Sequence, residues 1–232
     1  MRVEPFGVGS FVHVMKRGAR GMPITKDEDD RLRFARLLYF SNENHGDEYW
    51  ERSTKEFGMF GRPDSWRERT PLVRIHSWVL MPNHFHLMLE EVNEGGVAKF
   101  MQRLCGSMSA HYNAKYSERG SLFQGGYKSR TVSTDSHLRQ LIPYVAVKNV
   151  FETFPGGYAK ALCDFEAAWQ WGVESYQFSS LPEHMTKRTW PITEKGIIDE
   201  LFLDANLFKK HAKTVLYSRH GVPEELKRLA FE

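Results

Sequence analysis

Between Val79 and Glu90 the chain reads Val-Leu-Met-Pro-Asn-His-Phe-His-Leu-Met-Leu-Glu, a β-prone run in which two histidines bracket one large apolar residue. Side chains on a strand alternate between faces with a period of two, so His84 and His86 share one face while Phe85, Leu87 and Leu89 share the other. The apolar face can pack a core. The other can offer two neutral imidazoles in cis to a divalent cation and leave further coordination positions open. A strand divided in this way belongs in a sheet that is covered on at least its apolar side. Taken alone, a His-x-His pair is more often two half-buried, hydrogen-bonded histidines than a metal site, so the rest of the chain decides what the pair means.

A chain of 232 residues, 41% of them hydrophobic, accommodates one core of helices and strands plus an extension. No apolar run approaches the length of a membrane span, and the first five residues lack the apolar core of a signal peptide. The expectation is a cytoplasmic protein with no membrane partner. Cys105 and Cys163 are two isolated cysteines outside any metal-type spacing and read as ordinary thiols. The net charge of +3 is modest, but the cations cluster: Lys16, Arg17 and Arg20 follow the first apolar run, Lys128 and Arg130 follow a glycine-rich turn, and Lys209, Lys210, Lys213, Arg219, Lys227 and Arg228 lie towards the C-terminus. Such clusters can contact phosphates, and they serve equally well as solvated surface.

The organisation follows from periodicity. Phe11 to Met15 reads as a short strand closed by a basic, glycine-containing turn. After a cap at Thr25 or Asp27, Phe34, Leu37 and Leu38 line one face of a helix over residues 30–40. Residues 41–70 are polar and punctuated by Gly and Pro, which predicts an insertion or long loop. Two strands or one bent hairpin over residues 72–91 precede a helix over 97–116, whose Val97, Phe100, Met101, Leu104 and Met108 recur at helical spacing. A glycine turn at 120–126 leads into a strand near Ser129 to Val132. Ser133-Thr134-Asp135 then opens a helix whose interior Pro143 predicts a kink or a lost hydrogen bond, immediately before Tyr144. By periodicity alone that tyrosine is a core residue. Residues 182–232 form a tail with helical patterns at 197–202, 208–217 and 224–231, which predicts an appended helical module that contacts DNA or packs on the main domain.

Several segments together resemble the HUH single-tyrosine transposases, in particular the REP-associated group: Val14-Met15-Lys16-Arg17-Gly18, residues 27–34, Val79 to Leu87 with its Met-Pro-Asn-His-x-His core, Gly120-Ser121-Leu122-Phe123-Gln124-Gly125, Tyr144-Val145 and Trp169-Gln170-Trp171. The resemblance covers roughly residues 10–181. It implies an α+β fold with a ferredoxin-like antiparallel sheet, helices on one face, for a catalytic domain over residues 1–181, to which the helical patterns of 182–232 add a C-terminal extension. It also implies that His84 and His86 hold Mg²⁺ or Mn²⁺ and that Tyr144 attacks DNA, leaving a 5′-phosphotyrosine and a free 3′-OH.

One position departs from the family pattern. An Asn or Gln is expected one helical turn after the tyrosine, and this chain has Lys148 there, with Asn149 next. A protonated lysine has no lone pair for a cation. Asn149 is rotated by about 100° from Lys148 on a regular helix, so it needs a local distortion to take over. The expectation is a two-histidine site completed by Asn149, water or DNA, with Lys148 either a point charge towards the scissile phosphate or a solvated side chain. His13, His76 and His111 read as structural.

The leading expectation is therefore a metal-dependent single-stranded DNA endonuclease and strand transferase acting at hairpin repeats, as a monomer or homodimer, associated with the nucleoid when bound to DNA. Its DNA-contacting candidates are Lys16, Arg17, Arg20, Lys128, Arg130 and Lys148. The alternative is a catalytically impaired, domesticated DNA- or RNA-binding protein of the same fold.

Overall fold

A computed structural model describes residues 6–45, 47, 49–186, 190–194 and 196–218. The strands are β1 (Phe11–Arg17), β2 (Val73–Leu80), β3 (His84–Glu91) and β4 (Lys128–Val132). They form one sheet in the order β2-β3-β1-β4, with every pair antiparallel. Helix α1 (Glu28–Phe40) joins β1 to β2, by way of a chain that includes the short α2 (Trp50–Ser53), and α3 (Gly96–Tyr116) joins β3 to β4. This βαββαβ order is the ferredoxin-like topology that the resemblance implies.

Strand alternation builds the core. Val12, Val14, Phe85, Leu87 and Leu89 are fully buried on one face, beneath Phe34, Leu37 and Leu38 of α1 and Phe100, Leu104 and Met108 of α3. Each such side chain stabilises the fold by about 1.5–3 kcal/mol. Strand β2 joins this face because a bulge between Ile75 and Ser77 resets its alternation, which puts Ile75, Trp78 and Leu80 on the same side. Of the two candidate caps, Asp27 is the one used: its side chain accepts from the Asp30 amide.

The opposite face carries a second helical layer, a correction to the expectation of helices on one face, because Val79, Met88 and Val132 make that face apolar as well. Helix α4 (Asp135–Pro143) continues into a π-turn over Tyr144–Lys148 and then α5 (Asn149–Glu152), α6 (Gly157–Cys163) and α7 (Phe165–Glu174). Leu141, Val145 and Val150 pack with Val79, Met88 and Val132 of the sheet. Pro143 has no N–H to give, so it leaves the Arg139 carbonyl without its helical donor. The His211 ring faces the Arg139 backbone, which opposes part of the fall in pKa that burial imposes on that ring.

His211 belongs to the C-terminal helices. After α8 (Leu181–Met185) come α9 (Ile197–Phe202) and α10 (Ala205–Tyr217), whose Ile197, Leu201, Phe202, Phe208 and Ala212 are buried in the same apolar cluster as Leu138, Ile142 and Tyr144. Lys209 and Lys213 pair with Glu166 of α7. The expected helix over 224–231, with Arg219, Lys227 and Arg228, lies outside the described residues. Among the described residues no helix is long and apolar enough to cross a membrane.

Candidate active site

His84 and His86 open β3 on the face that the tyrosine helix covers. Their imidazoles stand with ring centroids 5.1 Å apart, and Tyr144 approaches the His86 ring edge-on at 6.2 Å. The π-turn carries Tyr144, and its closing bond runs from the Asn149 amide to the Tyr144 carbonyl, five residues back. This is a local distortion of the kind Asn149 needs. The Asn149 side chain is 1% exposed, and its Nδ2 has no hydrogen-bond partner among the described residues. Tyr144 itself is only 4% exposed.

Hydrogen bonds prepare both histidines. His84 Nδ1 lies 2.6 Å from Asn83 Oδ1, and the Asn83 amide group donates in turn to the Gly21 carbonyl. An amide oxygen only accepts, so His84 Nδ1 carries the hydrogen and its lone pair sits on Nε2. His86 Nδ1 lies 2.9 Å from Nε2 of His13, a fully buried residue of β1. Burial, and then the nearby Arg17 and Lys148 charges, push the His84 pKa down to about 4. Burial, followed by His13 and His84, holds His86 well below the ordinary histidine value. Both rings are thus neutral at neutral pH, which is the form that binds a cation.

The candidate cations divide by strand face. Arg17 is exposed and pairs across the ladder with His84, so it flanks the site. Lys128 and Arg130 lie opposite Met15 and His13 on the edge strand and share that face, Lys128 exposed and Arg130 half-buried. Arg20 is exposed in a 3₁₀ turn with left-handed backbone, φ 54°. Lys16 is a correction to the phosphate-contacting group. One residue before Arg17, it points to the opposite face, is 7% exposed, and donates to the Gly125 carbonyl near the Phe123 ring. Burial lowers its pKa, and it secures the glycine turn instead of presenting charge to solvent.

Lys148 reaches back over the Tyr144 ring, with Nζ 4.9 Å from the centroid and 3.5 Å from the hydroxyl, and it pairs with Glu152 at 2.8 Å. His76 and His111 bind Glu90 and Asp30, away from the pair, as structural histidines do. His13 and Asn83 were missed as site residues. Asn83 could have been found from its place directly before His84, and His13 from its place on a strand that pairs with β3. Trp169 and Phe178 pack in the two apolar clusters, with Trp171 and Tyr176 at their margins.

An antiparallel ferredoxin-like sheet with a His-x-His pair facing a helix-borne tyrosine is the arrangement that the resemblance to the HUH single-tyrosine transposases implies. Residues 69–148 match the family described as "Transposase IS200 like". The matched segment runs from just before β2 to the end of the π-turn and contains His84, His86, Tyr144 and Lys148. Over that segment the resemblance read from the sequence is borne out. No curated protein matches the chain. A solved structure described as "Structure of the REP associates tyrosine transposase bound to a REP hairpin" is similar at 12% identity and a TM-score of 0.44, over 84% of this chain and 90% of that one.

Proposed function

We propose that the chain is a metal-dependent single-stranded DNA endonuclease and strand transferase acting at hairpin-forming repeats, with Tyr144 as its nucleophile. The observation that carries this reading is the edge-on contact of Tyr144 with His86 inside the segment that matches the IS200-like transposases. His84 and His86 would hold Mg²⁺ or Mn²⁺, and Asn149 would supply an amide oxygen. The donor set suits such an ion through two adjacent imidazoles that burial keeps neutral, so that each carries a lone pair able to ligate. A divalent ion bound there would supply positive charge to polarise the scissile phosphate.

Tyr144 Oη forms a bond to phosphorus as the bond from phosphorus to the 3′-oxygen breaks. The phenolic proton leaves to solvent and the departing oxygen takes one up, which yields a 5′-phosphotyrosine and a 3′-OH. The covalent link conserves the phosphodiester, so a second 3′-OH can displace the tyrosine and join strands without a nucleotide cofactor. Lys148 would hold a non-bridging phosphate oxygen beside the attacking hydroxyl, a role suited to a compact point charge. Arg17, Lys128 and Arg130 would guide the backbone along the site face, with Arg20 at its margin.

The burial of Tyr144 and the Lys148–Glu152 ion pair favour a second reading, a nucleic-acid-binding protein impaired in catalysis. A denaturing gel of labelled single-stranded hairpin DNA, incubated with the protein and Mn²⁺, separates the two. A covalent adduct that Tyr144→Phe abolishes is the expected result. Hairpins that bind across a wide panel without ever forming an adduct would establish the second reading.

A further inference from the structure

We propose that His13 is the positioning residue of His86: it accepts a hydrogen bond from His86 Nδ1 and so directs the Nε2 lone pair of His86 to the cation. The proposal rests on the reading of His84 and His86 as the metal-holding pair.

Strand register brings the two rings together. Met15 is the cross-strand partner of His86. His13 lies two residues back on β1, hence on the same face and diagonal to His86. The rings stack with centroids 5.1 Å apart and planes 20° from parallel, and the two nitrogens are 2.9 Å apart. His13 has no exposed surface, so its ring is held by the sheet and by the helix above it.

A neutral imidazole carries one N–H and one lone pair. In a contact between two such rings one nitrogen donates and the other accepts, and that choice fixes what remains on each ring. If His86 accepts at Nδ1, its Nε2 carries the hydrogen and cannot ligate. If His86 donates, its Nε2 lone pair is left for a cation, and its tautomer matches the one that Asn83 imposes on His84. Only the second choice makes both residues of the pair ligands. The structure thus contains two parallel devices, Asn83 behind His84 and His13 behind His86, each engaging Nδ1. Histidines that hold metals commonly donate their second N–H to such a partner, and losing the partner weakens metal affinity by about 10–100-fold.

Two measurements on the full-length protein test this. Long-range ¹H–¹⁵N correlation of the metal-free protein, labelled at histidine, reads each tautomer directly. The expected signature is hydrogen on Nδ1 of His86, and hydrogen on Nε2 would overturn the proposal without reference to any metal. Mn²⁺ titration followed by electron paramagnetic resonance then compares the wild-type protein with His84→Ala, His13→Phe and His13→Gln, each checked by circular dichroism for native structure. His13→Phe should weaken Mn²⁺ binding by about 10–100-fold. His13→Gln, whose Oε1 can accept in place of the ring nitrogen, should recover most of that loss. Unaltered affinity in His13→Phe, in a protein whose His84→Ala variant loses Mn²⁺, would sink the positioning role alone. Equal Mn²⁺ binding by the wild-type protein and His84→Ala would sink the metal site and the proposal with it. If His13→Phe fails to fold, the tautomer and the Gln variant still decide.

Discussion

The backbone N–H of Asn149 donates to the carbonyl of Tyr144, five residues back, where a regular helix would close after four. In an α-helix the residue that lies over Tyr144 is Lys148. Adding one residue to the turn brings the Asn149 backbone amide onto Tyr144 while the Lys148 side chain still lies over the Tyr144 ring; under the proposed function Asn149, and not Lys148, would supply the oxygen ligand.

Asn149 and Lys148 should therefore fail differently when truncated. Asn149→Ala is expected to weaken Mn²⁺ binding by about tenfold or more, since an inner ligand should matter at least as much as the outer partners of such sites. Lys148→Ala should leave Mn²⁺ affinity within about twofold while lowering affinity for hairpin DNA. Mn²⁺ titration of the two variants checks the order, and a larger metal defect in Lys148→Ala would refute the shifted-turn assignment.

Arg17 and Lys16 make a matched control for the proposed DNA surface. Arg17 is exposed across from His84, and Lys16 is buried on the Gly125 carbonyl. Arg17→Ala should reduce the salt dependence of hairpin binding by about one counterion. Lys16→Ala should leave that slope unchanged and instead lower the urea midpoint, because the buried Lys16 stem and its bond to the Gly125 carbonyl are lost together. Fluorescence anisotropy across a salt series reads the slope, and equal slopes for Arg17→Ala and the wild-type protein would remove Arg17 from the surface.

These residues also show what was legible in the sequence. The period-two pattern from His84 to Glu90 contained β3, its apolar face and the histidine pair, but not the turn at Met81-Pro82-Asn83 that divides the run into two strands, nor the burial of both faces, because a helix from far along the chain covers the histidine side. The same rule separates Lys16 from Arg17, yet charge clustering grouped them, since proximity in sequence conceals opposite faces on a strand. Pro143 announced a broken helical bond but not its form, because the π-turn depends on what the sheet and α10 offer from elsewhere. The His13–His86 contact spans 73 residues and exists only once β1 and β3 pair. The insertion at 41–70 read as polar loop, although Asn42, Glu43 and Trp50 are buried. Asn42 is held by bonds to the backbone of Leu72 and Val73, which composition does not reveal.

Acid should weaken the fold through its buried histidines. The His184 ring carries an Nε2 that is buried without a partner among the described residues, and burial pushes its pKa down to about 4, against the pull of a hydrogen bond with the His76 backbone. Its folded pKa lies below the ordinary 6.5, so between those values the unfolded chain binds more protons than the folded one. The neutral ring's contribution is complete above about pH 6.5 and is lost as pH falls towards 4, a change on the order of 3 kcal/mol. Melting curves from pH 7.5 to 4.5 should show the loss. His184→Phe, which removes the titration and keeps a ring beside Phe208, should show a shallower fall, and an identical slope would exclude His184 as a source.

The C-terminal helices can be tested as part of the same cooperative unit. Phe208 has no exposed surface and sits among Phe202 at 5.1 Å, Trp169 at 6.1 Å and His184 at 6.4 Å, so one side chain of α10 joins α9, α7 and α8. Truncating it removes apolar burial and leaves a cavity that rigid neighbours cannot fill, at a cost of about 3–5 kcal/mol. That cavity would open in the cluster that also buries Tyr144. Phe208→Ala should therefore lower the midpoint of one shared urea transition, followed in parallel by tryptophan fluorescence and far-ultraviolet circular dichroism. Two separated transitions, with the sheet unaffected by the substitution, would instead define residues 182–232 as an independently stable module.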